Sequence, residues 1–375
     1  MPLLLFAVTT DLCFDQRMQR ICGSLAAAGY RVQLVGWQRP ASPPLAAQAY
    51  GQHRLRGWFQ KGKLFYLEYN LRLFFYLLSQ RAAAWCAADL DTALPVWLRA
   101  RLGGQPFVYD AHELFTEVPE VVARPAVQRV WRWVESFIVP RAQLAYTVGP
   151  ALARVFEQRY GRPFAVVRNV SRLQAEEALP PAPAAAPAGA YILYQGALNV
   201  GRGLENLLEA MPQVAGRLVI CGEGDLSAAL RARAGRLGLL ASGQVEFRGF
   251  VLPEALHEVT RHAAVGIMLL ENIGLSYYYS LANKFFDYVH AGIPQVLIDF
   301  PEYQALNDEF DVAELVPDLA PATLATALNR LLRDEPARYQ HLATNCRRAR
   351  AHLSWQHEER VLLALYAGLH LKPEQ

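Results

Sequence analysis

Long apolar runs are missing from this chain. No stretch of about 18 apolar residues passes without a charge, so no membrane-spanning helix is expected. Cysteine is sparse: Cys13, Cys22, Cys86, Cys221 and Cys346 are scattered, odd in number and form no CxxC pair or zinc-spaced Cys/His cluster. The expectation is reduced thiols in a cytoplasmic compartment and no bound metal. The start, Met-Pro-Leu-Leu-Leu-Phe, lacks a basic leader and meets Asp11 early, so it reads as a first strand and not as a signal peptide. Neither sign of charge dominates. With 37 basic and 34 acidic residues the net charge is +3, which does not imply nucleic acid. No GxGxxG follows the first strand and no GxxxxGK[ST] occurs, which argues against a dinucleotide dehydrogenase or a P-loop enzyme. No GxSxG elbow occurs, which weakens a serine hydrolase reading. A lone DxD, Asp89-Leu90-Asp91, is a motif that holds metal-bound nucleotides in some transferases, but at three residues it reads more simply as the edge of a strand.

What is present is apolar material in quantity: 53% hydrophobic against 19% charged residues, over 375 positions, enough for two domains with large cores. Short apolar runs alternate with helical patterns. In the first half the runs are 3–10, 31–37, 107–111, 144–149 and 165–169, with a helix at 16–28 closed by Gly29. In the second half they are 191–196, 217–222, 245–249, 265–270 and 294–299, with helices at 203–212, 225–238, 253–262 and 280–290. This alternation predicts parallel sheets of βαβ units. Residues 176–190, rich in proline and alanine, read as a stiff linker between domain 1–175 and domain 191–352. Two α/β halves of this kind bind ligands outside the carboxyl ends of their strands, which implies a cleft between them.

The segment 276–292 carries the most chemical information. Ser280, Asn283, Lys284 and Asp287 fall on one face of the predicted helix 280–290, and the rest of its circumference is almost wholly apolar. A buried helix with a narrow polar strip points that strip into a pocket. Gly196 ends a strand, Gly201-Arg202-Gly203 opens the next helix, and Gly222-Glu223-Gly224 follows the next strand. A glycine-rich turn before a helix offers backbone N–H groups and the positive dipole end to phosphate, and Arg202 adds a charged donor fork. A phosphate near Ser280 would meet N–H groups with Lys284 one turn on. Asp287 lies roughly 10 Å along the axis, a reach that suits the distance from a diphosphate to a ribose.

These pieces, Tyr-Gln-Gly-Ala-Leu-Asn-Val-Gly-Arg-Gly-Leu-Glu, Ile-Cys-Gly-Glu-Gly-Asp, Glu-Phe-Arg-Gly-Phe and Asn-Lys-Phe-Phe-Asp-Tyr-Val-His-Ala-Gly-Ile-Pro, occur in that order. Their combination resembles the carboxyl domain of the group 1 (family 4) glycosyltransferases. The first half is similar to that family's amino domain, most clearly at Tyr109-Asp110-Ala111-His112-Glu113-Leu114-Phe115. The resemblance implies a GT-B fold of two Rossmann-like domains facing a central cleft, and transfer from a nucleotide-diphosphate sugar with retention and without a required metal. It implies Arg202 and Lys284 on the donor diphosphate and Asp287 on the ribose. It places Gly222 and Gly224 near the nucleotide, Gly249 and Phe250 near the base, and His112 where the amino domain approaches donor sugar and acceptor. In such a mechanism the leaving phosphate takes the acceptor proton, and the protein works by positioning and charge stabilisation. Where many relatives carry a pair of glutamates this chain has Tyr279 and Asp287, and Ala197 stands where a basic residue is usual; Ser280 and Lys284 fit a branch of the family.

Residues 54–76 interleave Arg54, Arg56, Lys61, Lys63 and Arg72 with Trp58, Phe59, Phe65, Tyr66, Phe74, Phe75 and Tyr76. They read as a helix packing its aromatics inward, or as a peripheral contact with an anionic inner membrane surface that would serve a lipid-linked acceptor. Residues 353–375 carry a terminal helix expected to cross back to the amino domain. The reading is a cytoplasmic glycosyltransferase of polysaccharide biosynthesis whose partners are a nucleotide sugar and a sugar, glycan or lipid-linked acceptor. The alternatives are a non-catalytic nucleotide-sugar binder and a nucleotide-sugar epimerase of the same fold.

Overall fold

The computed structural model describes residues 1–173 and 179–371, and no helix among them is long and apolar enough to cross a membrane. Parts of three expectations, 174–175 of the first domain, 176–178 of the linker and 372–375 of the terminal segment, lie outside the described residues. The chain forms two compact units: Met1–Asn169 with the residues from Glu358 onward, and Val170–His357.

The first unit is built on a parallel sheet of β1 (Leu3–Ala7), β2 (Arg31–Trp37), β3 (Gly51–Leu55), β4 (Ala84–Ala88), β5 (Phe107–Ala111), β6 (Leu144–Thr147) and β7 (Ala165–Val166), in the order β3-β2-β1-β4-β5-β6-β7. β4 and β5 are buried at every position and β1 at all but its first, as befits strands covered on both faces. The helix Gln16–Ala27 starts where Asp15 accepts the N–H of Met18 and ends before Gly29 at φ 93°. The strands β3 and β4 are not apparent from apolar runs. β3, Gly-Gln-His-Arg-Leu, is a half-exposed edge strand; β4, Ala-Trp-Cys-Ala-Ala, has weak strand propensity and is strand because β1 and β5 pair with it on both sides.

The second unit repeats the plan with β8 (Tyr191–Gln195), β9 (Arg217–Cys221), β10 (Val245–Gly249), β11 (Ala263–Met268), β12 (Gln295–Ile298) and β13 (Ala313–Val316), all parallel, ordered β10-β9-β8-β11-β12-β13. Its core is formed by residues such as Ile192, Ile220, Ile267, Phe285 and Leu297, all without solvent exposure. Residues 179–190 contain no helix or strand, and Ala182 and Ala186 pack on this core while the Pro180 carbonyl accepts from Arg347. In each unit the strand order reverses once, between β1 and β4 and between β8 and β11. Each reversal leaves a crevice beyond the strand ends, where α/β sheets bind ligands.

Candidate functional site

In the second unit the loops after β8 and β11 flank the crevice. The loop after β8 holds Gly196, Gly201, Arg202 and Gly203 and leads into the helix Leu204–Ala210. The segment after β11 runs through a short helix, Leu275–Tyr278, to the helix Asn283–Ala291. Hydrogen bonds join the two: Glu271 N–H donates to the Gly201 carbonyl at 3.0 Å, and Gly203 N–H donates to the Glu271 side-chain Oε1 at 3.3 Å. Gly203 (φ 63°) lies so close to this segment that a Cβ there would sit 2.5 Å from the Leu269 carbonyl oxygen.

The glycines at the strand ends serve close approach. Gly222, at φ 145°, faces Gly196 so tightly that a Cβ would come 1.9 Å from the Gly196 carbonyl oxygen, and its N–H donates to the Gly249 carbonyl at 2.7 Å. Gly224 is held equally tightly against Leu198 and Asn199. Lys284 reaches this spot from the helix Asn283–Ala291: a Cβ on Gly196 would be 3.3 Å from its Nζ, and the ammonium lies 3.9 Å from the centre of the Tyr194 ring. Burial first, and then the Arg202 charge, push the Lys284 pKa down to about 7, with Asp287 opposing the shift. The Arg202 guanidinium lies 5.1 Å from the Tyr277 ring centre, and its Nε is buried without a hydrogen-bond partner.

Two expectations change. The helix begins at Asn283, capped by Ala282 in extended geometry, and not at Ser280. The Ser280 hydroxyl and N–H both bond the Tyr277 carbonyl, so Ser280 closes the preceding short helix and its N–H is already used. The N–H groups left to face an anion are therefore those of Asn283 and Lys284, since Phe285 N–H donates to the Ala282 carbonyl at 3.1 Å; the Asn283 side chain is exposed. Asp287 is engaged by the protein itself: Gln195 Nε2 donates to Oδ2 at 3.0 Å and the Ser171 hydroxyl to Oδ1 at 3.2 Å. These two bonds set the orientation of the carboxylate. Gln195 is in turn held by the Thr260 hydroxyl, 2.8 Å from Oε1. Phe250 is 74% exposed beside Gly249, and Glu223 is spent in an exposed pair with Arg231.

In the first unit His112 follows β5 beside the other reversal point. Its ring nitrogens lie 3.1 Å from Asp89 Oδ2 and 3.1 Å from Asp110 Oδ2, and its backbone N–H donates to Asp89 Oδ1 at 2.8 Å. Burial opposes its charge, but the two carboxylates outweigh burial and hold the imidazole pKa well above its usual value. Asp110 is held low against its own burial by buried Arg17, which grips it through Nε and Nη2 and bonds the Val167 carbonyl. Asp89 adopts φ 62°, ψ 170°, a region favouring glycine, so backbone strain accompanies the clamp. Asp91 of the DxD is buried under the Thr9 hydroxyl, and burial with the Asp89 charge raises its pKa to about 7. Among the described residues no group of three His, Cys, Asp or Glu side chains could hold a metal ion.

The sequence model described as Glycosyltransferase Family 4 matches residues 16–171, and that described as Glycosyl transferases group 1 matches residues 189–334. The chain belongs to the group 1 glycosyltransferases. Its solved neighbours share the GT-B architecture of two Rossmann-like domains. Sucrose-phosphate synthase from Thermosynechococcus elongatus superposes with a TM-score of 0.79 at 19% identity, covering 98% of this chain and 99% of that one. The Anabaena HepE protein in complex with UDP-glucose gives 0.74 at 14%, covering 98% and 100%. An alpha,alpha-trehalose-phosphate synthase (UDP-forming) from Burkholderia vietnamiensis gives 0.71 at 15%, covering 98% and 100%. No curated protein sequence matches this glycosyltransferase.

Of the residues singled out in the sequence of this glycosyltransferase, Lys284, Gly196, Gly222 and Gly249 form one continuous set of contacts. Gly201, Arg202 and Gly203 border the segment that leads to Lys284. Tyr194, Gln195, Ser171 and Glu271 were not singled out. They are remote in sequence from what they hold, and no spacing rule connects them.

Proposed function

We propose that this glycosyltransferase takes a nucleotide-diphosphate sugar in the second unit and transfers the sugar, with retention of configuration, to a glycan, lipid-linked or small-molecule hydroxyl. The observation that carries the reading is the pair of cations, Arg202 and Lys284, beside glycines that leave backbone room for a ligand. Their mutual repulsion contributes to the depressed Lys284 pKa. A diphosphate offsets that repulsion, and in the transition state the same cations stabilise the charge growing on the leaving phosphate without a metal. The ribose is assigned to Asp287 and the base to the surface at Gly249 and Phe250. Uracil is the first base to test, since the Anabaena neighbour was solved with UDP-glucose. His112, with both ring nitrogens engaged and its charge held, is assigned to the acceptor side as an electrostatic and orienting group, not as a base. A lipid-linked acceptor would connect this chemistry, and a role in polysaccharide biosynthesis, to the basic aromatic residues 54–76.

The test is a panel of UDP-, GDP- and ADP-sugars with sugar and lipid-linked acceptors, following nucleotide release, product formation and anomeric configuration by NMR. Release of nucleotide diphosphate with a product of retained configuration is expected. Inverted product overturns retention, and binding without release favours a non-catalytic nucleotide-sugar binder. Lys284→Ala and Arg202→Ala should each weaken nucleotide diphosphate binding about 10- to 100-fold, the scale of a lost charged hydrogen bond. Unchanged affinity in both refutes the phosphate site.

A further inference from the structure

The helix Gly62–Leu78 is apolar on two sides. Phe65, Tyr69, Leu73 and Leu77 are buried in the first unit. Leu64, Leu67, Leu71, Phe75 and Leu78 are exposed at spacings of three and four, forming a strip roughly 20 Å long down the outer side. A helix packed on a domain ordinarily turns polar residues outward. Two further helices carry exposed apolar residues of their own. This helix packs against Leu90–Gly103, which packs against Pro125–Ile138, and their exposed apolar residues include Leu102 (68%) and Trp133 (63%). Phe137 joins the last two helices, its ring 5.0 Å from Trp97 and stacked on Trp133 at 5.9 Å. Isolated exposed leucines are ordinary; a patch across three neighbouring helices marks an interaction surface.

The charge on this flank is predominantly basic, although exposed Glu113 and Glu120 lie near Tyr66 and Glu117 pairs with Arg132 at 3.0 Å. Residues 56–78 carry Arg56, Lys61, Lys63 and Arg72 with a single acid, Glu68, which is turned onto the N–H groups of Trp58 and Phe59 and onto Arg72. Residues 122–141 carry Arg124, Arg129, Arg132 and Arg141 with a single acid, Glu135, fully buried against Thr116 and Tyr160. Beside Trp97 lies a cavity of about 500 Å³ bordered by Arg101, Arg141 and Arg162 and by no acidic side chain. The Arg162 Nε is buried there without a hydrogen-bond partner, and the Arg141 guanidinium lies over the Phe137 ring, 3.9 Å from its centre.

We propose that this flank docks the protein on an anionic phospholipid bilayer. The apolar strip and Trp133 enter the interfacial layer, the basic residues face the lipid charge, and the arginine cavity takes a headgroup phosphate. Charge decides the occupant. A second copy packed through the same flank would set cation against cation, whereas an acidic lipid surface complements both the charge and the apolar rows.

The test is vesicle flotation of the full chain with phosphatidylglycerol/phosphatidylcholine vesicles against phosphatidylcholine alone, at about 0.1 M and 1 M salt. At least tenfold stronger binding to the acidic vesicles at low salt is expected, falling at high salt. The double variants Leu71→Glu/Phe75→Glu and Arg101→Glu/Arg141→Glu should each lose tenfold or more, with thermal midpoint and nucleotide binding unchanged because these side chains are exposed. Absence of binding to acidic vesicles overturns the proposal, as does binding that ignores both salt and the variants. A dimer abolished by Leu71→Glu/Phe75→Glu in a protein that ignores vesicles also overturns it.

Discussion

Lys284 links structure to a measurable proton. Burial first, then Arg202, hold its pKa at about 7, against 10.5 for an ordinary lysine. The unfolded chain therefore binds the extra proton between these values, and this residue's contribution makes the fold more stable as pH rises from about 7 to about 10.5. A diphosphate reverses the shift. Binding near pH 8 should take up a proton, and affinity should rise as pH falls from about 9 to about 7. Calorimetry in buffers of different ionisation enthalpy measures the uptake, which Lys284→Arg should abolish; proton-neutral binding by the native protein would contradict this assignment. The strip Asn283, Lys284, Asp287 is legible from helical spacing alone. The side chains that orient it are not: Gln195 and Ser171 lie 92 and 116 residues from Asp287 in sequence. The same holds for His112, whose partner Asp110 lies two residues away in sequence while Asp89, and the Arg17 that holds Asp110, arrive from other elements.

Among the elements, the helix Asn283–Ala291 shows how sequence and structure can differ by one turn. Serine is a favoured N-cap, so a start at Ser280 is the natural reading. The short helix Leu275–Tyr278 uses Ser280 instead, and the longer helix begins on Ala282, which has extended geometry and no capping side chain. Ala282→Ser should therefore stabilise the fold by about 1 kcal/mol, a rise of about 2–4 °C in Tm by calorimetry. The same hydroxyl would compete for N–H groups at the proposed anion site, so nucleotide binding should weaken as stability rises. A variant with unchanged Tm would argue against an uncapped first turn. The β strands divide along similar lines. β2, β5 and β10 keep the bounds predicted from their apolar runs, whereas the polar edge β3 and alanine-rich β4 take strand form only beside their neighbours.

For the whole molecule, the chain's last described stretch is part of the first unit's stability. From Glu358 the helix Trp355–Ala367 belongs to that unit, where Glu358 pairs with Arg168 at 3.0 Å. Tyr366 is buried against Phe6 and Tyr146, its hydroxyl 3.3 Å from that of Tyr146. Tyr366→Ala should cost about 3–5 kcal/mol, the range for removing a buried aromatic, and urea unfolding of the full chain would show it. A loss below 1 kcal/mol would mean this helix adds little to the first unit.

The sequence by itself determined the family and the two Rossmann-like domains, because apolar periodicity, glycine turns and motif order are local properties of the chain. Tertiary structure alone decided where the helix Asn283–Ala291 starts and that His112 is clamped between two carboxylates. It also decided that Asp287 is oriented by Gln195 and Ser171, and that one side of the helix Gly62–Leu78 remains apolar and uncovered. Each of these depends on which distant segments meet, and the chain's local pattern does not encode that meeting.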